Sequence, residues 1–207
     1  MDKIILDNIG KRFKKDWIFN NLSYTFHANQ SYAVQGSNGS GKSTLLKIVA
    51  AYLDPTVGSV SYFASNQQIE NQLIHTSITL AAPYMELPEE FTPVEIVKFH
   101  LGFKNFIDEM SIAEFLKTVQ LDKESHKTVN QFSSGMKQRL KLGLAILSKS
   151  DLLLLDEPTI NLDANGISLY QQWIKKYASK RIILICSNNI KEEIEFCDSF
   201  INVNDFK

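Results

Sequence analysis

Gly36, Ser37, Asn38, Gly39, Ser40, Gly41, Lys42 and Ser43 fit the pattern G-x-x-x-x-G-K-[ST] with no mismatch. Such a stretch suits a polyphosphate, because glycines let successive backbone N–H groups wrap the anion with no Cβ in the way. Lys42 can then reach the β and γ phosphates. Ser43 offers a hydroxyl to Mg²⁺, and Thr44 continues into a helix whose positive dipole end faces the anion. The reading is a nucleotide cradle, against the alternative of a Gly/Ser-rich surface turn that matches by accident. The flanks decide between them: 31–35 reads as a short buried strand and 44–51 as a helix, the order that a phosphate loop requires.

Two acids close the apolar run Leu152-Leu-Leu-Leu-Asp156-Glu157. Asp156 sits where a carboxylate can hold Mg²⁺ through its water shell, as phosphate-loop enzymes require. Glu157, one residue on, points differently and can orient an attacking water. A buried strand that merely exits into solvent at two acids is the alternative, weakened by the cradle upstream. Ahead of that strand, Ser133, Ser134 and Gly135 precede Met136 at the opening of a helix. They place small hydroxyls and free N–H groups at a helix N-terminus, which is either a second anion site or simply a capped helix.

These groups need elements to hold them. The segments 3–9 and 17–26 read as strands, the second alternating like a half-exposed antiparallel strand, and 59–63 and 77–81 as two more, with a polar loop over 64–76. The character changes at Pro83. From 83 to 148 the periodicity predicts helices over 94–103, 111–119 and 134–147, with Thr92 and Ser111 as N-caps, and hence a small helical lobe. Strands return at 151–156 and 181–186, apolar on both faces as central parallel strands are, followed by helices at 164–178 and 190–196 and a last strand near 200–203. Apolar strands alternating with helices predict an α/β fold: a phosphate-loop core with a mainly parallel sheet, an antiparallel β edge and the helical lobe. The core is expected to span 1–82 and 149–207 and the lobe 83–148, all in one domain, since 207 residues do not suffice for two full ones.

Composition narrows the partners. A formal net charge of −1 argues against broad binding to nucleic acid or anionic membranes. No apolar run approaches the ~20 residues of a membrane span, so the chain is expected in the cytoplasm. Cys186 and Cys197 stand alone, without C-x-x-C or clustered His, and read as core thiols.

With its motifs taken together and in order, the chain resembles the ATP-binding-cassette (ABC) family over nearly its whole length. Ser133-Ser134-Gly135-Met136 is similar to the family signature Ser-Gly-Gly-Gln, with Ser134 for a Gly and Met136 for the Gln. Residues 152–159 resemble its Walker B strand with the catalytic Glu, and 161–163 its D-loop, ending in Asp163. Phe13 stands where the family keeps an aromatic that stacks on adenine. The resemblance implies an ATPase subunit that needs ATP and Mg²⁺, pairs head to tail with a second cassette (a copy or a sister subunit) and drives a separate membrane subunit, on whose cytoplasmic side it docks. In that arrangement Ser133–Met136 of one cassette would act on ATP held by the other.

Two positions depart from the family. The strand near Ile78 runs on into Ala81 and Ala82 where a Mg²⁺-touching Gln belongs, and Asn188 stands where the switch His belongs. An amide can donate a hydrogen bond to phosphate but carries no titratable charge. ATP binding with slow turnover is therefore expected. A cassette serving as an ATP-dependent switch is the second reading, and a soluble, non-transport cassette ATPase the third; a phosphate-loop kinase fits least. The segment Pro83–Pro93, mixing Tyr84, Met85, Leu87 and Phe91 with Glu86, Glu89 and Glu90, is the expected docking face for the membrane subunit, unless the lobe buries it.

Overall fold

The computed structural model describes residues 1–207. Strands β1 (Lys3–Phe13) and β2 (Asp16–His27) form a hairpin, and β3 (Gln30–Gln35) leads to the cradle and helix α1 (Lys42–Val49). Then come β4 (Val57–Ala64), β5 (Gln67–Ile69), β6 (Ile78–Ala81), α2 (Pro93–Leu101), α3 (Ile112–Thr118), α4 (Ser134–Ile146), β7 (Leu152–Asp156), α5 (Ala164–Tyr177), β8 (Ile182–Cys186), α6 (Lys191–Ile194) and β9 (Ser199–Asn202). The strands make two sheets, an antiparallel one in the order β2-β1-β4-β5 and a second in the order β6-β7-β8-β3-β9. In the second sheet β3 runs parallel to both β8 and β9, and β7 parallel to β8. The expected α/β fold with a parallel sheet and an antiparallel edge is what the chain adopts. The polar stretch 64–76 is not all loop: it holds β5 and a 3-10 segment, Asn71–Ser77, seated by buried Ile74.

The chain forms two compact units. The first comprises residues 1–80, 150–157 and 179–207, the second 81–149 and 158–178. In the first, every residue of β7 and β8 is buried. The core sets Leu152, Leu154, Ile182 and Leu184 with Val34, Leu45 and Ile48 of the β3–α1 unit and with Ile4, Phe19 and Phe26 of the hairpin. At roughly 1.5–3 kcal/mol per fully buried aliphatic or aromatic side chain, this apolar packing fixes where the strand ends point. Asp156 pairs in register with Cys186, so the tips of β7 and β8 lie side by side.

The second unit is helical, and its helices start where the sequence signals them. Thr92 and Ser111 each close a capping box, with Glu95 and Glu114 respectively. Helix α5, expected with the core, belongs here instead: Gln138 of α4 is buried and donates from Nε2 to the Pro158 carbonyl at 2.8 Å, just ahead of α5. Tyr84, Met85 and Phe91 are exposed, as are Phe99 and Phe103, whose rings meet at 5.1 Å. Backbone bonds from Val129 to the Phe91 carbonyl and from Asn130 to that of Glu89 brace this stretch.

His100 of α2 makes the second unit acid-sensitive. Its ring stacks on Phe106, and its Nε2 lies 2.6 Å from Ser148 Oγ, which itself donates to the Leu144 carbonyl, so the imidazole is the donor of the pair. Burial, aided by the nearby charge of Lys104, pushes its pKa down to about 4. An unfolded His titrates near 6.5, so between about 4 and about 6.5 the folded state binds fewer protons than the unfolded one, and stability rises with pH. The contribution is fully present above that window and is lost on descending through it. Thermal melts should show a midpoint that falls on acidification from pH 6.5 towards 4.5, and falls less in His100→Gln, which keeps a donor for Ser148.

Candidate functional site

The loop between β3 and α1 turns on glycine geometry. Gly41 caps α1 in the left-handed region, at φ 108°, and a Cβ there would run into Ile18 of β2. Only glycine allows the loop to enter the helix this close to the hairpin. The result is a cavity of about 400 Å³ lined by Asn38, Gly39, Gly41, Lys42, Ser43 and Thr44 from the loop and α1, by Ile18 from β2, and by Glu157 and Asn188 from the segments after β7 and β8.

Strand order explains the convergence. Because β7 and β8 run parallel with their tips adjacent, Glu157 and Asn188 emerge at the same sheet edge. Asp156, the last residue of β7, is almost wholly buried. Burial pushes its carboxyl above the ordinary range; a hydrogen bond from Ser43 and the charge of Lys42 oppose this, while the charge of Glu157 adds to it. Glu157 turns out of the strand line with φ 46°, a left-handed conformation that costs a non-glycine residue about 1 kcal/mol, and its N–H donates to the Cys186 carbonyl at 2.9 Å. The turn lets two successive carboxylates serve different purposes, one inward against Ser43 and one in the cavity wall.

Lys42 is the cation of the site. Its Nζ donates to the carbonyls of Gly36 (2.9 Å) and Ser37 (3.2 Å) and to Asn188 Oδ1 (2.8 Å). Asn188 in turn donates from Nδ2 to Glu157 Oε1 at 2.6 Å. Lysine only donates and a carboxylate only accepts, so these neighbours fix which way the amide points. Ser40 is fully buried, and its hydroxyl has no partner in the chain.

The other sequence-derived candidates are placed as follows. Phe13 ends β1, half exposed, with Lys11 Nζ 5.3 Å from its ring centroid; it does not line the cavity, whereas Ile18 does. Ser133, Ser134, Gly135 and Met136 lie in the second unit, where Ser133 is the N-cap of α4 and accepts from the Met136 N–H at 3.2 Å. Gly135 abuts the backbone carbonyl of Asn161, and Asp163 caps α5 by accepting from the Gly166 N–H at 2.7 Å. Ala81 and Ala82 are both buried.

Residues 19–160 match the profile of the ABC transporter family. The chain belongs to this family. It is 31% identical to the ABC transporter ATP-binding protein YybJ of Bacillus subtilis, over 95% of this chain and 90% of that protein. It is also 31% identical to the lantibiotic transport ATP-binding protein SrtF of Streptococcus pyogenes, over 95% of this chain and 84% of SrtF. Among solved structures, a dimeric ATP-binding cassette in a post-hydrolysis state, bound to ADP and Pi, shares the fold with a TM-score of 0.80 at 22% identity, over 96% of this chain and 93% of that one. The chain is thus an ABC ATPase, built on the phosphate-loop fold.

An ABC ATPase works on ATP with Mg²⁺, and the residues of the cavity fit both. No three His, Cys, Asp or Glu side chains converge on a point anywhere in the chain. Mg²⁺ is a hard cation that keeps several waters and needs only one or two protein oxygens beside phosphate. Ser43 and Asp156, joined by a hydrogen bond, are the residues that would supply such oxygens. Ile18, the Asn188 bridge and Gln138 were not legible in the sequence: an apolar residue in an alternating strand, an amide and a helical Gln carry no chemical signal until their neighbours are known.

Proposed function

We propose that this ABC ATPase powers a membrane transporter, docking on a separate membrane subunit and closing with a second cassette, either a copy or a sister subunit. The observation that carries the reading is the convergence of Lys42, Ser43 and Glu157 on one cavity, with Asp156 bonded to Ser43 behind it. The N–H groups of Asn38–Thr44 and the ammonium of Lys42 would hold the phosphates, Ile18, which lines the cavity where Phe13 does not, would face the base side, and Ser43 and Asp156 would hold Mg²⁺. Bound there, Mg²⁺ would supply charge neutralisation at the β and γ phosphate oxygens. Glu157 would orient the attacking water. Ser133–Met136 and Asp163 serve, in this reading, the nucleotide of the second cassette, which accords with the dimeric relative of the same fold.

No helix is long and apolar enough to cross a membrane, so coupling needs a surface. The exposed Tyr84, Met85 and Phe91, with Phe99 and Phe103, are the proposed contact for an apolar-and-basic segment of the membrane subunit. The lantibiotic transporter relative favours a peptide or amphiphile as cargo. A switch role with slow hydrolysis is the second reading; Asn188 in the cavity and the buried, ligand-less Ala82 favour it. Purification of the chain from detergent-solubilised membranes of its own cell tests the transporter reading. A polytopic membrane subunit should accompany it in a fixed ratio and raise its ATPase rate; recovery of the chain with no membrane subunit contradicts the proposal.

A further inference from the structure

We infer that Asn188 is a positioning residue that ties the state of Lys42 to that of Glu157, and that it occupies the donor of Lys42 which phosphate oxygens must take over. The inference rests on the reading of Gly36–Ser43 as the ATP site and adds to it a competitor supplied by the chain itself.

An ammonium group has three N–H donors, and Lys42 has three acceptors within hydrogen-bond distance: the carbonyls of Gly36 and Ser37 and Asn188 Oδ1. The ammonium is spent. A further acceptor at Nζ requires that one of the three be released. Gly36 and Ser37 belong to the loop itself, and their carbonyls are fixed by its backbone. Asn188 is the one acceptor on a side chain, from a separate segment, and it is exposed. It is the partner that Lys42 can give up at least cost.

The same amide holds Glu157 through its other end, at 2.6 Å. When Oδ1 leaves Lys42, the carboxamide stays on Glu157 by Nδ2 alone and can rotate. There is room for it to do so. Asn188 also lines a second cavity, of about 490 Å³, whose wall includes the neutral amides of Gln35, Asn189, Asn202 and Asn204. Asn188 thus braces Glu157 against Lys42, and engagement of Lys42 by phosphate frees one end of the brace.

This role has a sign that distinguishes it from a plain phosphate contact. If Asn188 merely donated to phosphate, its removal would weaken ATP binding. If it competes for Lys42, removal tightens binding, because one charge-assisted hydrogen bond no longer has to be broken. Calorimetric titration of Mg-ATP into wild type, Asn188→Ala and Asn188→Leu tests this; the side chain is exposed, and thermal melts check that the fold is kept. Both variants should bind ATP on the order of tenfold more tightly, while turnover at saturating ATP falls because Glu157 has lost its brace. Unchanged or weaker binding in both variants overturns the inference. Lys42→Ala in the same titration separates the two layers: if it loses affinity while the Asn188 variants do not gain it, only the brace is wrong, and if it binds as wild type does, the ATP-site reading itself fails.

Discussion

Glu157→Gln is expected to cut ATP turnover by two to four orders of magnitude while ATP binding stays within about twofold of wild type. The magnitude is that of removing a positioned general base. The substitution is suited to the site because the amide keeps the length and shape of the carboxylate. Its carbonyl oxygen can still accept from Asn188 Nδ2, which lies 2.6 Å from Glu157 Oε1, and the left-handed backbone at φ 46° is set by the chain, not by the side-chain head. What changes is the ability to take a proton from water. Phosphate release measured beside equilibrium ATP binding separates the two effects, and a variant with wild-type turnover would remove Glu157 from its assigned role.

The second large effect is expected from Lys42→Ala. A charge-assisted hydrogen bond in a shielded site is worth about 1.5–3 kcal/mol, so ATP affinity should fall roughly ten- to 150-fold. The structure points to the upper part of that range. Lys42 is only 6% exposed, and it braces the loop through the Gly36 and Ser37 carbonyls. The variant loses both the cation and the internal tie that shapes the loop. Calorimetry with Mg-ATP gives the number directly; a dissociation constant within twofold of wild type would mean that Lys42 does not hold phosphate.

How far the sequence reaches depends on how local the physics is. Gly36–Ser43 and Leu152–Asp156 were legible because their chemistry demands particular residues at particular spacings, and the parallel sheet followed from strands apolar on both faces. The N-caps at Thr92 and Ser111 were legible for the same reason: each capping box is closed within four residues. Placement of α5 was not, since the buried bond from Gln138 to the Pro158 carbonyl links distant segments. Position 188 shows the limit most clearly. The sequence says that an amide replaces an imidazole there, but only its neighbours reveal that the amide faces Lys42 with one end and Glu157 with the other.

That pair of contacts also bears on rate. An amide cannot carry the charge that an imidazole can, and here it is already engaged twice, so slow hydrolysis is the expected behaviour of the wild-type chain. Slow turnover, not its absence, is expected, because Lys42, Ser43 and Glu157 line one cavity and Asp156 is bonded to Ser43 behind it.

The most direct test of the central claim, that ATP held at Lys42 is cleaved by water oriented by Glu157, is a single-turnover measurement with radiolabelled ATP on the purified chain at high protein concentration, with Glu157→Gln alongside. The account predicts that wild type converts bound ATP to ADP and phosphate while Glu157→Gln holds it uncleaved. Bound ATP that stays intact in both proteins, or is cleaved equally in both, would contradict it.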